Sequence, residues 1–466
     1  MVLLCCAQAT SAQQVWTLEQ CIAYAIKHNV QIKLGDLTTA QNQIAEQQAN
    51  TSRYPTVNGG FANGVSFGRS INPITNQFVQ QGYYYNGFNL GADVLVFGWF
   101  SRKYQQQQAS LQTLATKQQN MQLQSDLSLN IATAYLRILL AKEQEKLSQQ
   151  QLQTDADQAV LIKRRADAGG LPQLNYAQMQ AQLSQDSSNV LNASLAVQAA
   201  LIDLKSILNM PMSESLDVVV PQITSSSIAG IYPSAQEIFE EATKHQFRLQ
   251  QANYNIEAAK EQVKIAKAAK YPTVTAGWSL GTNFASTVKD VTGFTQIGEE
   301  AIGNIKFGDS LIPITRPTYS YTTRLTPIFR QYGNNLRQSV NLNVSVPIFN
   351  GYQAKYNIQR AELGVQQQQF VQEQNRNQLM QDVYRAYNDY QSSLQRYKAA
   401  QQQVQSAELA LQYAQKRLDA GLLATQEYIT QQNTLQRAQN AAVQSKYEAV
   451  FKGKILDFYL NRPIQL

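Results

Sequence analysis

His28 and His245 are the only imidazoles in a chain of 466 residues. A metal centre or acid–base site built on either would need carboxylates, thiols or further imidazoles at ligand spacing, and the surrounding sequence supplies no such set. The two stand at equivalent points of an internal duplication, which marks them as positions of a repeated helix rather than reactive groups. No Gly-rich phosphate loop, nucleophile elbow or paired-carboxylate motif is present. The chain therefore reads as a non-enzyme without cofactor or metal. Lys260, Lys264, Lys267 and Lys270 make a basic stripe at helical spacing, where the other copy has Gln43, Gln47, Asn50 and Arg53. The stripe fits lipid phosphates or, the reading the residues favour, a solvated helix face.

Composition narrows the class further. Charged residues are 15% and the net charge of +7 is spread thinly, without basic patches interleaved with aromatics, so nucleic acid is not a partner. Cys5, Cys6 and Cys21 all fall within the first 21 residues, which excludes a disulfide framework and a cysteine zinc site further on. Residues 2–7 and Thr10-Ser11-Ala12 resemble the tail of a secretory leader, assigned to 1–12 and clipped at its start. A frayed cytosolic N-terminus is the alternative, and a lipid anchor on Cys5 or Cys6 is disfavoured by the bulky Leu4. No apolar run of 18 residues is evident, so no transmembrane helix is expected.

The elements that carry these residues come in tandem. Thr17–Val57 matches Ser234–Val274 at an offset of 217, with Tyr54-Pro55-Thr56-Val57 repeated as Tyr271-Pro272-Thr273-Val274. Further on the offset is 252: Asn89-Leu90 pairs with Asn341-Leu342 and Ala134-Tyr135 with Ala386-Tyr387. The boundaries are 13–233 for the first repeat and 234–466 for the second, which carries an inserted loop at 285–338. Each copy reads helix, strand, loop, strand, long helix, turn, helix. The first helix spans Leu18 to Thr51 and stops before Pro55.

The strands alternate with period two. Val57, Phe61, Val65 and Phe67 oppose Asn58, Gly60, Ala62, Gly64 and Ser66; Val340, Leu342, Val344 and Val346 oppose Ser339, Asn341, Asn343 and Ser345. Such a strand suits a half-buried soluble sheet or a barrel that is apolar toward lipid and polar toward a lumen. Strands of about 10 residues, tilted by about 40°, would rise close to 25 Å and cross an outer membrane, with Tyr83-Tyr84-Tyr85 beside one strand as an interfacial girdle. Four strands cannot close a barrel, so several copies must share one.

The longest helical stretch runs from Asn350 to Leu460, broken at Gly421. Val383, Tyr390, Tyr397, Val404, Leu411 and Leu418 recur every seven residues, with Met380, Tyr387 and Leu394 as the companion row of a coiled-coil seam. Two helix tips share Arg-x-Asp-Ala-Gly: Arg165, Asp167 and Gly169, followed by Gly170 and Leu171, against Arg417, Asp419 and Gly421, followed by Leu422 and Leu423.

With its doubled Tyr-Pro-Thr-Val junctions, the Pro347-Ile348-Phe349-Asn350-Gly351 exit and these two tips, the chain resembles the TolC-like outer-membrane efflux factors over nearly its whole length. The resemblance implies an α+β membrane protein in which four strands per chain give one third of a trimeric twelve-stranded barrel. Long coiled-coil helices would form a periplasmic tunnel. It implies a passive exit duct in the outer membrane, a homotrimer working with a periplasmic adaptor (membrane fusion) protein and an inner-membrane transporter; a soluble periplasmic coiled-coil scaffold is the alternative. The tips would dock the adaptor. The acids that narrow the family's tunnel entrance fall on Glu427 and on Thr430, where this chain departs from the pattern.

Overall fold

The computed structural model describes residues 15–71, 78–221, 228 and 230–463; the expected leader at 1–12, with Cys5 and Cys6, lies outside them. The chain divides into two compact units. One takes in the chain through Glu46, Gln107–Lys260 and the chain from Glu362, and the other Gln47–Gln106 with Glu261–Ala361.

The first unit is helical. It holds all or the greater part of α1 (Leu18–His28), α2 (Val30–Thr51), α3 (Ser101–Asp167), α4 (Gln173–Leu208), α5 (Ala235–His245), α6 (Phe247–Ala268), α8 (Gln353–Asp419) and α9 (Thr425–Tyr459), with a two-residue parallel pair of β1 (Val15–Trp16) and β4 (Asp217–Val218). The duplication is visible in the caps. Thr17 and Gln20 form a capping box at α1, and Ser234 and Glu237 form the same box at α5. Asn209 and Asn461, 252 residues apart, both close a helix in the left-handed region, at φ 54° and 55°.

The helix expected from Leu18 to Thr51 is in fact two. Asn29 is extended at ψ 130°, its side chain donating to the Ile207 carbonyl at 3.0 Å and accepting from the Gln31 amide at 2.8 Å. Asparagine offers the backbone an alternative partner and so breaks a helix that periodicity alone would continue. Gln246 makes the corresponding break between α5 and α6.

α3 and α8 are 67 residues each, about 100 Å at 1.5 Å per residue. In α3 a buried row recurs every seven residues at Thr113, Asn120, Leu127, Ala134, Ala141, Ser148, Asp155 and Ile162. In α8 the expected row from Val383 to Leu418 faces inward, with Val383, Tyr390 and Leu418 buried. Its companion is a row of small residues, Ala386, Ser393, Ala400, Ala407 and Ala414. Of the expected companions, Tyr387 and Leu394 are half-buried and pack against the core, while Met380 is 41% exposed. Small side chains let neighbouring helices approach and bury the large row opposite, and a search for large apolar residues passes over the small row. By length and composition alone α4 holds one 18-residue window apolar enough to cross a membrane. Only 11% of that window is buried, and Leu191, Leu195 and Ile202 are exposed along it.

The second unit centres on a four-stranded antiparallel sheet in the order β2 (Thr56–Ile71), β3 (Phe78–Phe97), β5 (Thr273–Ala285), β8 (Arg337–Ser345). The register keeps the two faces distinct across all four strands. Val57, Ala92, Trp278 and Val340 form one rung; Asn58, Gly91, Ser279 and Ser339 form the next, on the opposite face, where the Ser279 and Ser339 hydroxyls meet at 2.8 Å. β2 and β3 are 16 and 20 residues long, well beyond ten, and Tyr83–Tyr85 lie inside β3 rather than beside it. β8, with nine residues, limits the full sheet to a rise of about 23 Å at a tilt of about 40°.

The insertion is an ordered hairpin, not a plain loop: β6 (Lys289–Phe307) pairs with β7 (Ser310–Leu325), followed by α7 (Ile328–Asn334). Gly293, Gly298 and Gly303 each mark a bulge in β6, five residues apart, and Gly308 at φ +65° makes the turn.

Candidate functional site

The two helix tips are built alike, from the backbone outward. At tip one the Gly170 amide bonds the Arg165 carbonyl at 2.9 Å and the Gly169 amide bonds Ala166 at 3.0 Å. At tip two Leu422 bonds Arg417 at 2.8 Å and Gly421 bonds Leu418 at 3.1 Å. This is the Schellman closure, and it demands the positive φ seen at Gly169 (+77°) and Gly421 (+71°). The last turns carry Arg164 and Arg165, and Lys416 and Arg417, which complement the negative helix ends.

The fold brings the tips together. Arg165 Nη2 donates to Asp419 Oδ1 at 3.2 Å, with both side chains about half exposed. Gln415 supports Asp419 from one turn back, at 3.2 Å, and Arg417 reaches the Leu422 carbonyl at 3.4 Å. Beneath the turns, Leu171 packs with Ala159, Ile162, Met179 and Ile429, while Leu423 packs with Ala414, Leu418 and Tyr428. Asp167 is exposed, and Leu422 is 70% exposed where tip one has Gly170.

Glu427 sits in the first turn of α9, exposed, with Thr430 one turn further and also exposed. The Thr430 hydroxyl donates to the Gln426 carbonyl at 2.9 Å, so it is engaged by its own helix.

Behind the tips lies a buried polar cluster that sequence reasoning missed. Asp155 and Asp186 are 0% and 1% exposed, and Gln432 of α9 is 2% exposed. Gln432 Nε2 donates to Asp155 Oδ1, Gln151 Nε2 to Asp155 Oδ2 at 3.0 Å, and Gln182 Nε2 to Asp186 Oδ1 at 3.0 Å. Burial pushes the Asp155 carboxyl well above the usual range, and its contact with Asp186 adds to this. Burial, with Asp155 and Asp419 nearby, also pushes the Tyr428 hydroxyl up to about 12. The one signal in the sequence was an aspartate in a heptad row whose copy-two position is Ala407.

The remaining chemistry-bearing residues are structural. His28 Nδ1 contacts the Tyr24 carbonyl at 2.9 Å and His245 Nε2 contacts Glu241 at 3.0 Å, the same four-residue reach in both copies. In the lysine stripe, Lys260 and Lys264 are paired within their own helix with Glu257 and Glu261, at 2.7 and 2.6 Å. Burial pushes the Cys21 thiol up to about 12, with the charge of Glu19 adding to it, so it is held as an unreactive thiol. Among the described residues no group of three or more His, Cys, Asp or Glu could hold a metal ion.

A sheet with one largely apolar face and one small polar face, in a chain whose two helical hairpins each have a 67-residue arm, marks a membrane channel protein. Residues 28–210 and 238–452 match the family model of outer membrane efflux proteins. The chain belongs to that family: it is an outer-membrane efflux channel with helices in the periplasm, a transport duct and not an enzyme. Its fold is similar to that of VceC, an outer membrane protein of Vibrio cholerae, at 18% identity and a TM-score of 0.72, covering 96% of this chain and 97% of that one. CusC, studied for conformational changes accompanying folding and transmembrane channel formation, matches at 16% identity and a TM-score of 0.75 over 96% and 92% of the two chains. The open state of the Neisseria gonorrhoeae MtrE channel matches at 16% and 0.70 over 96% and 89%. No curated protein sequence matches the chain.

Proposed function

We propose that the chain is one subunit of a homotrimeric passive exit duct. It would receive substrate from an inner-membrane transporter through a periplasmic adaptor that engages the two tips. The observation that carries this reading is the sheet order: β2 and β8 each keep one unpaired edge. Open edges do not persist in lipid, where every backbone group needs a partner, so the strands of one copy must pair with those of the next. Three copies give twelve strands, enough to enclose a lumen lined by the small polar face.

The duplication supports the same assembly on the helical side. Within one chain, the break at Gln246 adjoins Ser125 and Ser128 of α3, and Arg248 shares a recess with Gln122 and Asp126. By the two offsets, the equivalent partners of the Asn29 break are residues 374–380 of α8. A groove of about 680 Å³ stands open at Asn29, lined also by Gln31, Arg137 and Asp203, and the equivalent of Ser128 is the exposed Met380. Met380 of one subunit therefore fits the Asn29 groove of the next.

Purified protein in detergent is expected to run as a trimer and to give stepwise conductance in planar bilayers. Gln31→Cys combined with Gln378→Cys, the counterparts of Arg248 and Asp126, is expected to form disulfides between subunits. A monodisperse monomer, soluble without detergent, would sink the proposal.

Two finer assignments belong to it. Glu427 faces the narrow periplasmic entrance and favours cations there, threefold symmetry gathering three carboxylates. The 289–325 hairpin projects outside the cell, so protease added to intact cells is expected to cut it, at Lys306 beside the turn, before the helices.

A further inference from the structure

We infer that Asp155 and Asp186 form a binding site for one proton, and that the bound proton holds α3, α4 and α9 together behind the tips. The two carboxylates come from the two arms of the α3–α4 hairpin, and Gln432 brings in α9. All three side chains are at least 98% buried. Counting donors shows what is missing. Asp155 receives one amide N–H on each oxygen, and Asp186 receives one on Oδ1. Asp186 Oδ2 and Gln432 Oε1 remain buried acceptors with no donor among the described residues. Asp186 lies beside Asp155, near enough that its carboxyl helps hold a proton there. A hydrogen shared between the two would satisfy Asp186 Oδ2, and a buried acceptor left bare costs about 1–3 kcal/mol.

A proton fits the site better than a metal ion. The groups aimed at Asp155 are amide N–H donors, which occupy the lone pairs a metal would use. No cation neutralises the pair: among the described residues neither aspartate has a salt-bridge partner, and Tyr428 of α9 lies near Asp155. The contact between α3 and α8 alongside is neutral, Gln158 to Gln415 at 3.3 Å. Like carboxylates this close cannot both ionise without cost, and burial adds to it, so the shared proton is retained where ordinary carboxylates have lost theirs.

The sign of the effect follows. With the carboxyls packed together the site binds more protons than when the helices separate and the acids meet water. The packed form is thus favoured by protons, and its advantage shrinks as pH rises from the ordinary carboxylate range to the raised value. Over that window separation of the three helices becomes about tenfold easier per pH unit, and above it the dependence levels off.

The test uses the full-length protein in detergent. Infrared difference spectra at pH 7 are expected to show a protonated-carboxyl C=O stretch that disappears in both Asp155→Asn and Asp186→Asn. Asparagine at 155 supplies its own donor to Asp186, so its melting temperature is expected to lose the fall with rising pH that the unmodified protein shows between pH 5 and 9. A band absent from the unmodified protein at pH 7, or one that survives both substitutions, overturns the inference. A melting temperature that drops equally at every pH in Asp155→Asn would show a packing role alone and also overturn it. Stabilisation by added sodium, potassium or calcium that requires both aspartates would make the site a cation site instead.

Discussion

Three of the differences between tip one and tip two are more informative than the likeness. Both close through the same two backbone bonds and the same left-handed glycine. Around that common frame, copy one carries Gly170 where copy two exposes Leu422, and Asn175 where copy two has Glu427. It also buries Asp155 where copy two has Ala407. What both copies share is what a helical hairpin requires in order to turn. What only one copy has is not needed for the turn, and these are the positions at which we propose a channel-specific role.

The strongest test of the shared frame lies in the core. Ile131 and Val383 are equivalent residues, both fully buried. Ile131→Ala is expected to cost about 2–5 kcal/mol, and Val383→Ala about one methylene less, near 1 kcal/mol less, in chemical unfolding. A silent substitution in either copy would break the equivalence. Next in size are the glycines. No atom lies within 4 Å of a Cβ added at Gly169 or Gly421, so Gly169→Ala and Gly421→Ala lose only backbone strain, about 1–3 kcal/mol each, and by similar amounts. Unequal losses would show that one tip bends to accommodate the change.

Arg165→Ala removes an exposed ion pair and is expected to cost about 0.2–1 kcal/mol at low salt, vanishing at high salt. Smallest of all in stability is Glu427→Gln, which should leave unfolding and assembly unchanged yet lower cation preference in reversal potentials. Asn175→Glu sharpens the comparison: added cation preference would place both returning helices at the same opening, and no change would leave α9 alone there.

Much of this architecture was legible in the sequence because it rests on local rules. Alternation in β2 and β8 survives as two sheet faces, and Asp-Ala-Gly ends a helix in both copies. Four features were not legible. The break at Asn29 depends on a carbonyl 178 positions away, which no window of local sequence contains. The companion row in α8 is small, and a search for large apolar residues passes over alanine and serine. Asp155 and Asp186 lie 31 positions apart and meet only because a hairpin folds them together. At the strand-to-helix exit, copy one holds Trp99 and Phe100 at φ 50° and 61°, where copy two uses Gly351 and Tyr352 at 61° and 63°. Trp99, its ring centroid 4.4 Å from that of Tyr271, adopts a backbone shape that its residue type would not suggest.

The five-residue rhythm of glycines in β6 has a consequence for neighbours. β6 has 19 residues and β7 has 16, and the three bulges account for the three extra residues. A ribbon with one side longer than the other coils, as a bimetallic strip does when one metal expands. The free edge of β6 then presents carbonyls and amides along a curve with interrupted spacing, which a straight strand from another molecule cannot match over more than one five-residue interval. In a membrane crowded with copies of this channel, thirty-odd exposed residues of β-structure can therefore lie side by side without zipping into a common sheet.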